Sequence, residues 1–107
     1  MATREEIESK LKQLKPELAH RFFVTKIGYF GSYANHTQTT GSDLDILVEF
    51  SQPIGWNFFT LEKYLEDQFH LKIDLVSQSA IKEQLKDSIL QQVRFVWKKK
   101  KGIISIS

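Results

Sequence analysis

The sequence predicts a single α/β (α+β) domain built on one mixed β-sheet of about four strands flanked by helices. Three observations lead there. A chain of 107 residues and 12.5 kDa has apolar material for one core and not for two. Stretches with helical spacing of apolar residues alternate with short runs of strand character, which is the order of an α/β sandwich. The run Asp43-Leu-Asp-Ile-Leu-Val-Glu-Phe50 has one wholly apolar face and one acidic face, as a sheet strand covered on one side requires. Residues 1–97 are expected to form the domain and residues 98–107 a basic C-terminal tail.

Thr3-Arg-Glu-Glu6 reads as a capping box, with hydroxyl and carboxylate each satisfying a free amide at the start of a helix. Ile7, Leu11 and Leu14 give that helix an apolar stripe, and Pro16 ends or bends it. Phe22, Phe23 and Val24 open a β-rich stretch that runs through Ile27 to Phe30 and stops at Gly31-Ser32. Turn-forming residues from Asn35 to Ser42 lead into the strand from Asp43 to Phe50. Ser51 to Gly55 is a turn, and Phe58, Leu61, Tyr64, Leu65 and Phe69 then recur at helical spacing. Leu71 to Val76 is expected as a third strand. Ser77 or Ser79 is expected to cap a helix carrying Ile81, Leu85 and Ile89, and Val93 to Trp97 closes the sheet.

Composition excludes several classes of function. With no cysteine there is no disulfide framework, thiol nucleophile or cysteine-based metal site, and a reducing cytoplasm is the compartment this composition fits. No apolar run is long enough to span a membrane, and the mixed charges at the N-terminus do not resemble a signal peptide. The net charge of +2 depends on the consecutive Lys98 to Lys101; without them the chain is slightly acidic. A broad nucleic-acid surface is therefore not expected.

The residues that carry chemistry lie on the acidic face of the second strand. Residues two apart on a strand share a face, so Asp43 and Asp45 stand side by side, opposite Leu44, Ile46 and Val48. In the third strand Leu71, Ile73 and Leu75 are apolar, which puts Asp74 on the other face; if both strands turn their apolar sides to the same helices, Asp74 joins the pair. Like charges ~4 Å apart at an effective dielectric of ~20 repel by about 4 kcal/mol, so such a cluster calls for a cation. Mg²⁺, a hard ion held by a few carboxylates together with substrate phosphates, is the natural one. Gly31-Ser32 supplies the complement. Glycine lets the main chain approach a phosphate, the amides of a following turn or short helix face it, and the serine hydroxyl adds a donor. Carboxylates and phosphate turn together describe a nucleoside-triphosphate site.

Gly31-Ser32, ten residues from Tyr33 to Ser42, and then Asp43-Leu-Asp45 resemble the signature of the nucleotidyltransferase (DNA polymerase β-like) superfamily. The flanking Tyr29-Phe-Gly-Ser-Tyr-Ala34 and Ser42-Asp-Leu-Asp-Ile-Leu-Val-Glu49 resemble its minimal, MNT-domain form. The likeness runs from about Ile27 to Trp97. It implies the nucleotidyltransferase-like fold, with Asp43, Asp45 and Asp74 as catalytic acids and ligands of Mg²⁺, two ions in all. It also implies that Gly31 and Ser32 bind the β and γ phosphates of ATP, with Asp74 placed to take the proton of the attacking hydroxyl. Ser42 is expected either near this site or only in the turn before the strand. The sequence departs from the family at Asn35-His36, where Ala-Arg-Gly usually follows the Gly-Ser-x.

Minimal members lack a domain for an acceptor, and the resemblance implies that a partner provides it: a HEPN-domain ribonuclease toxin, in a hetero-oligomer with this chain as antitoxin. The expected reaction is transfer of AMP from ATP to a tyrosine hydroxyl of the toxin. The alternative within the same family is an antitoxin that inhibits by complex formation alone. A third reading, from the lysine run, is a small nucleic-acid-binding module. His20, His36 and His70 match no metal-ligand spacing and are expected at surfaces or helix ends. Lys72 is expected to be solvated, with phosphate contact the less common outcome. Trp56, Phe58 and Phe59 are read as core residues opening a helix, with a partner surface the other option.

Overall fold

The computed structural model describes residues 2–39 and 41–99. In chain order the elements are α1 (Arg4–Gln13), α2 (Lys15–Phe22), β1 (Val24–Phe30), β2 (Leu44–Phe50), α3 (Asn57–Phe69), β3 (Ile73–Ser77), a 3-10 turn at Gln78–Ala80, α4 (Glu83–Gln92) and β4 (Arg94–Lys98). The four strands form one mixed sheet in the order β3-β2-β1-β4. β1 pairs antiparallel with β2 and β4, while β2 and β3 are parallel. Parallel neighbours need a crossover, and α3 supplies it.

The capping box forms as expected: the Thr3 hydroxyl accepts from the Glu6 amide at 3.1 Å, and the Glu6 carboxylate accepts from the Thr3 amide at 2.8 Å. Pro16 does not close the helical region. It sits in the first turn of α2, where its missing N–H leaves no bond unmade, and a second helix follows. Phe22 is therefore the last residue of α2 and Phe23, at φ 58°, its left-handed cap, so β1 starts later than the β-rich composition of 22–24 suggested. Ile7, Leu11, Leu18, Phe22, Leu61 and Leu65 are buried with Ile27, Tyr29, Leu44, Ile46, Val48, Ile73 and Leu75 in one core on one side of the sheet. Each such fully buried aliphatic side chain contributes about 1.5–3 kcal/mol.

Other boundaries differ from expectation, among them β4, which is Arg94–Lys98 rather than Val93 to Trp97. β2 begins at Leu44, so Asp43 lies one residue before the strand. The third strand is Ile73–Ser77, not Leu71–Val76. Ser77 and Ser79 do not cap α4; their hydroxyls lie 3.1 Å from one another, and Lys82 occupies the cap position with no side-chain bond. β3 and β4 are opposite edges of the sheet, so the chain from Gln78 to Val93 must cross it. Gly28 marks the crossing, because a Cβ there would lie 2.7 Å from Val93 Cγ1 and from the Arg94 carbonyl oxygen. Leu47 shares the face of Asp45 and Glu49 and is nevertheless buried. The aromatic start of α3 is not core: Trp56 is 84% and Phe59 59% exposed, and only Phe58 packs against the core.

Candidate active site

The parallel register of β2 and β3 pairs Leu44 with Ile73 and Asp45 with Asp74. Since the residues at 44, 46, 73 and 75 are all in the core, Asp45 and Asp74 emerge together on the opposite face. In this setting the Asp45 carboxyl is pushed from 3.8 up to about 6. Partial burial is the largest cause, followed by the charge of Asp74 and a hydrogen bond to it, with Asp43 adding repulsion. Among the described residues no basic side chain offsets this. Among the described residues the ion pairs are Glu17–Arg21, Lys63–Asp67 and Glu8–Arg94, none of them at these acids.

The glycine-serine turn meets the same carboxylate. The antiparallel register of β1 and β2 pairs Phe30 with Asp45, which leaves Gly31 beside the Asp45 side chain. A Cβ on Gly31 would lie 2.1 Å from Asp45 Oδ2, and Gly31 has φ +75°. Both facts penalise a larger residue here. Beyond it the chain makes a single helical turn: the Asn35 amide donates to the Gly31 carbonyl at 3.0 Å and the Thr37 amide to the Ser32 carbonyl at 2.9 Å. Among the described residues the amides of Ser32, Tyr33 and Ala34 make no main-chain bond, which leaves donors at the turn's start. The half-buried Ser32 lies in the same turn.

The structure thus gathers Gly31, Ser32, Asp45 and Asp74, with the exposed Asp43 just upstream. Ser42 is engaged elsewhere. Its hydroxyl accepts from the Thr39 amide at 2.8 Å and lies 3.3 Å from the Thr39 hydroxyl, closing the turn before β2. Among the described residues no group of three or more His, Cys, Asp or Glu is disposed to hold a metal ion by itself. His20 and His70 are exposed, and His36, at φ 60°, contacts the Arg4 guanidinium.

Sequence reading missed the polar cluster that braces this region from the core side. The Tyr29 hydroxyl donates to Glu8 at 2.5 Å and accepts from Arg94 Nε at 3.2 Å. That bond holds the Glu8 carboxyl below its usual range, and burial raises the Tyr29 phenol. The cluster fastens α1 and β4 to β1 two residues before Gly31. Its members are 86 residues apart along the chain, so no local pattern announces it.

Residues 5–103 match the family described as Nucleotidyltransferase domain. The Protein adenylyltransferase MntA of Thermococcus cleftensis is 44% identical over 97 residues, 90% of this chain and 98% of its own. Among solved structures, a toxin-antitoxin complex with AMP-PNP superposes with a TM-score of 0.73 at 24% identity, covering 88% of this chain and 75% of the other. The complex of the tri-AMPylated Shewanella oneidensis HEPN toxin with its MNT antitoxin gives 0.64 at 22% identity, over 86% of this chain and 70% of the other. The glycine turn beside paired carboxylates, the mixed four-stranded sheet and a family match over nearly the whole chain agree: this chain belongs to the nucleotidyltransferase family.

Proposed function

We propose that this chain is an antitoxin that transfers AMP from ATP to a tyrosine hydroxyl of a HEPN-domain ribonuclease toxin. The single observation that carries the proposal is the convergence of Gly31 with Asp45 and Asp74, because it sets a phosphate-accepting turn against an uncompensated pair of carboxylates. The relative named as a protein adenylyltransferase supports the reaction, and the likeness to toxin-antitoxin complexes supports the partner.

The donor set fits Mg²⁺. Asp45, Asp74 and Asp43 offer hard oxygens without enclosing an ion, and substrate phosphates complete the coordination of this metal. When bound, Mg²⁺ would supply positive charge opposite the phosphate oxygens and offset both the burial and the mutual repulsion of these carboxylates. The Ser32, Tyr33 and Ala34 amides and the Ser32 hydroxyl receive the β and γ phosphates. The tyrosine oxygen attacks the α-phosphorus, the bond from that phosphorus to the oxygen bridging to the β-phosphate breaks, and pyrophosphate leaves. The hydroxyl proton passes to the Asp74 carboxylate. Holding nucleophile and phosphorus in line and neutralising charge provide most of the acceleration.

Incubation with α-labelled ATP, Mg²⁺ and a HEPN-domain protein from the neighbouring reading frame tests the proposal. Label on the toxin that disappears in Asp43→Asn and Asp45→Asn is the expected result. Tight complex formation without label, equal in both variants, selects inhibition by binding alone.

A further inference from the structure

Between Lys26 and Lys63 the sequence contains neither lysine nor arginine, so the unit that brings Gly31, Ser32, Asp43 and Asp45 carries no permanent positive charge of its own. A triphosphate approaching it meets carboxylates, and Mg²⁺ is shared between the two. Any protein-borne cation must come from another segment. Arg4 reaches the turn, but its guanidinium is engaged with His36.

Lys72 is the other cation at hand. Its carbonyl accepts from the Leu44 amide at 2.9 Å, and the next pairs in the register are Leu44 with Ile73 and Asp45 with Asp74. One step back sets Lys72 beside Asp43, and the two-residue period puts it on the face of Asp74. The side chain is exposed and belongs to none of the ion pairs among the described residues. Neighbouring strands lie about 4.8 Å apart, so Lys72 and the Gly31 turn flank β2 on opposite sides, about 10 Å from each other with the acids between them. The register thus puts Lys72 on the acidic face, and it forms none of the ion pairs among the described residues.

We propose that Lys72 binds the phosphate chain of the nucleotide from the β3 side, opposite the Gly31-Ser32 turn. The inference deepens the function proposed above and rests on it. Lys72 then limits the net negative charge of the loaded site, as a flexible point charge suited to a phosphate oxygen.

The full chain titrated with AMP-PNP and Mg²⁺ in a calorimeter provides the test. Lys72→Met is expected to weaken binding about tenfold or more, since a charge-assisted bond to phosphate is lost. Lys72→Arg should retain most of the affinity, and adenosine, which has no phosphates, should bind wild type and Lys72→Met alike. Added salt should weaken wild type more steeply than Lys72→Met. Equal AMP-PNP affinity in wild type and Lys72→Met overturns the inference while leaving the nucleotide reading in place. No AMP-PNP binding by wild type overturns the nucleotide reading itself, and this inference with it.

Discussion

Replacing Gly31 by alanine tests whether the turn and the carboxylate occupy the positions described. Two terms oppose the alanine. At φ +75° an L-residue is strained by about 1–2 kcal/mol, partly offset by ~0.4–1 kcal/mol from a stiffer unfolded chain. The second term is steric. The new Cβ would lie 2.1 Å from Asp45 Oδ2 and 3.2 Å from its Cγ, so the Asp45 side chain must leave its rotamer or the paired strands must part. An off-rotamer side chain alone costs about 0.5–1.5 kcal/mol, and a disturbed strand pair adds to it, giving ~2–3 kcal/mol for Gly31→Ala. In an Asp45→Ala background only the Cβ of residue 45 remains, at 3.6 Å, an ordinary van der Waals separation. There the same change should cost only about 1 kcal/mol. The four proteins of this cycle, unfolded in urea at pH 7, should give a coupling of ~1–2 kcal/mol. Equal costs in the two backgrounds would refute the contact.

Other changes have equally definite outcomes. Because folding raises the Asp45 pKa from 3.8 to about 6, the protonated carboxyl favours the folded state below pH 4, and that contribution is lost as pH rises through 6. Asp45→Asn should therefore be more stable than wild type above pH 6, by about 1–2 kcal/mol after allowing for solvent screening of a half-buried group, and the gain should fade below pH 4 in thermal melts without Mg²⁺. Tyr29→Phe should lose about 1 kcal/mol at pH 7. Its deficit should narrow as pH falls below the usual glutamate range, because the lowered pKa of Glu8 stabilises the fold only while that group is ionised. Ser42→Ala removes the acceptor of the Thr39 amide and should cost about 0.5–1.5 kcal/mol in urea unfolding.

The site was largely legible because its order is carried by alternation. Asp45 and Asp74 each stand between core residues, and once the strands pair in parallel with both apolar sets inward, the two acids have one face available. Gly31 was legible for the close approach of main chain to phosphate, but neither its positive φ nor the carboxylate crowding a Cβ was foreseen, since that contact depends on Phe30 pairing with Asp45. Pro16 was expected to end or bend the first helix; that it opens a second one was not foreseen, because the burial of Leu18 and Phe22 that holds this helix depends on tertiary packing. A helix does follow β3, but it starts at Glu83 rather than from Ser77 or Ser79, because the 3-10 turn at Gln78–Ala80 comes first; Ile81 therefore precedes the helix it was expected to join, and Leu85 is half exposed. Of the predicted basic run Lys98 to Lys101, Lys98 ends β4 and Lys99 follows it, and the last two lysines lie outside the described residues.

Transfer of a labelled adenylyl group bears most directly on the central claim. With α-labelled ATP, Mg²⁺ and the HEPN toxin, wild type should label the toxin, and Asp45→Asn, folded and at least as stable at pH 8, should not. Equal labelling by the two proteins, or toxin neutralised by wild type with no label transferred, would contradict the account.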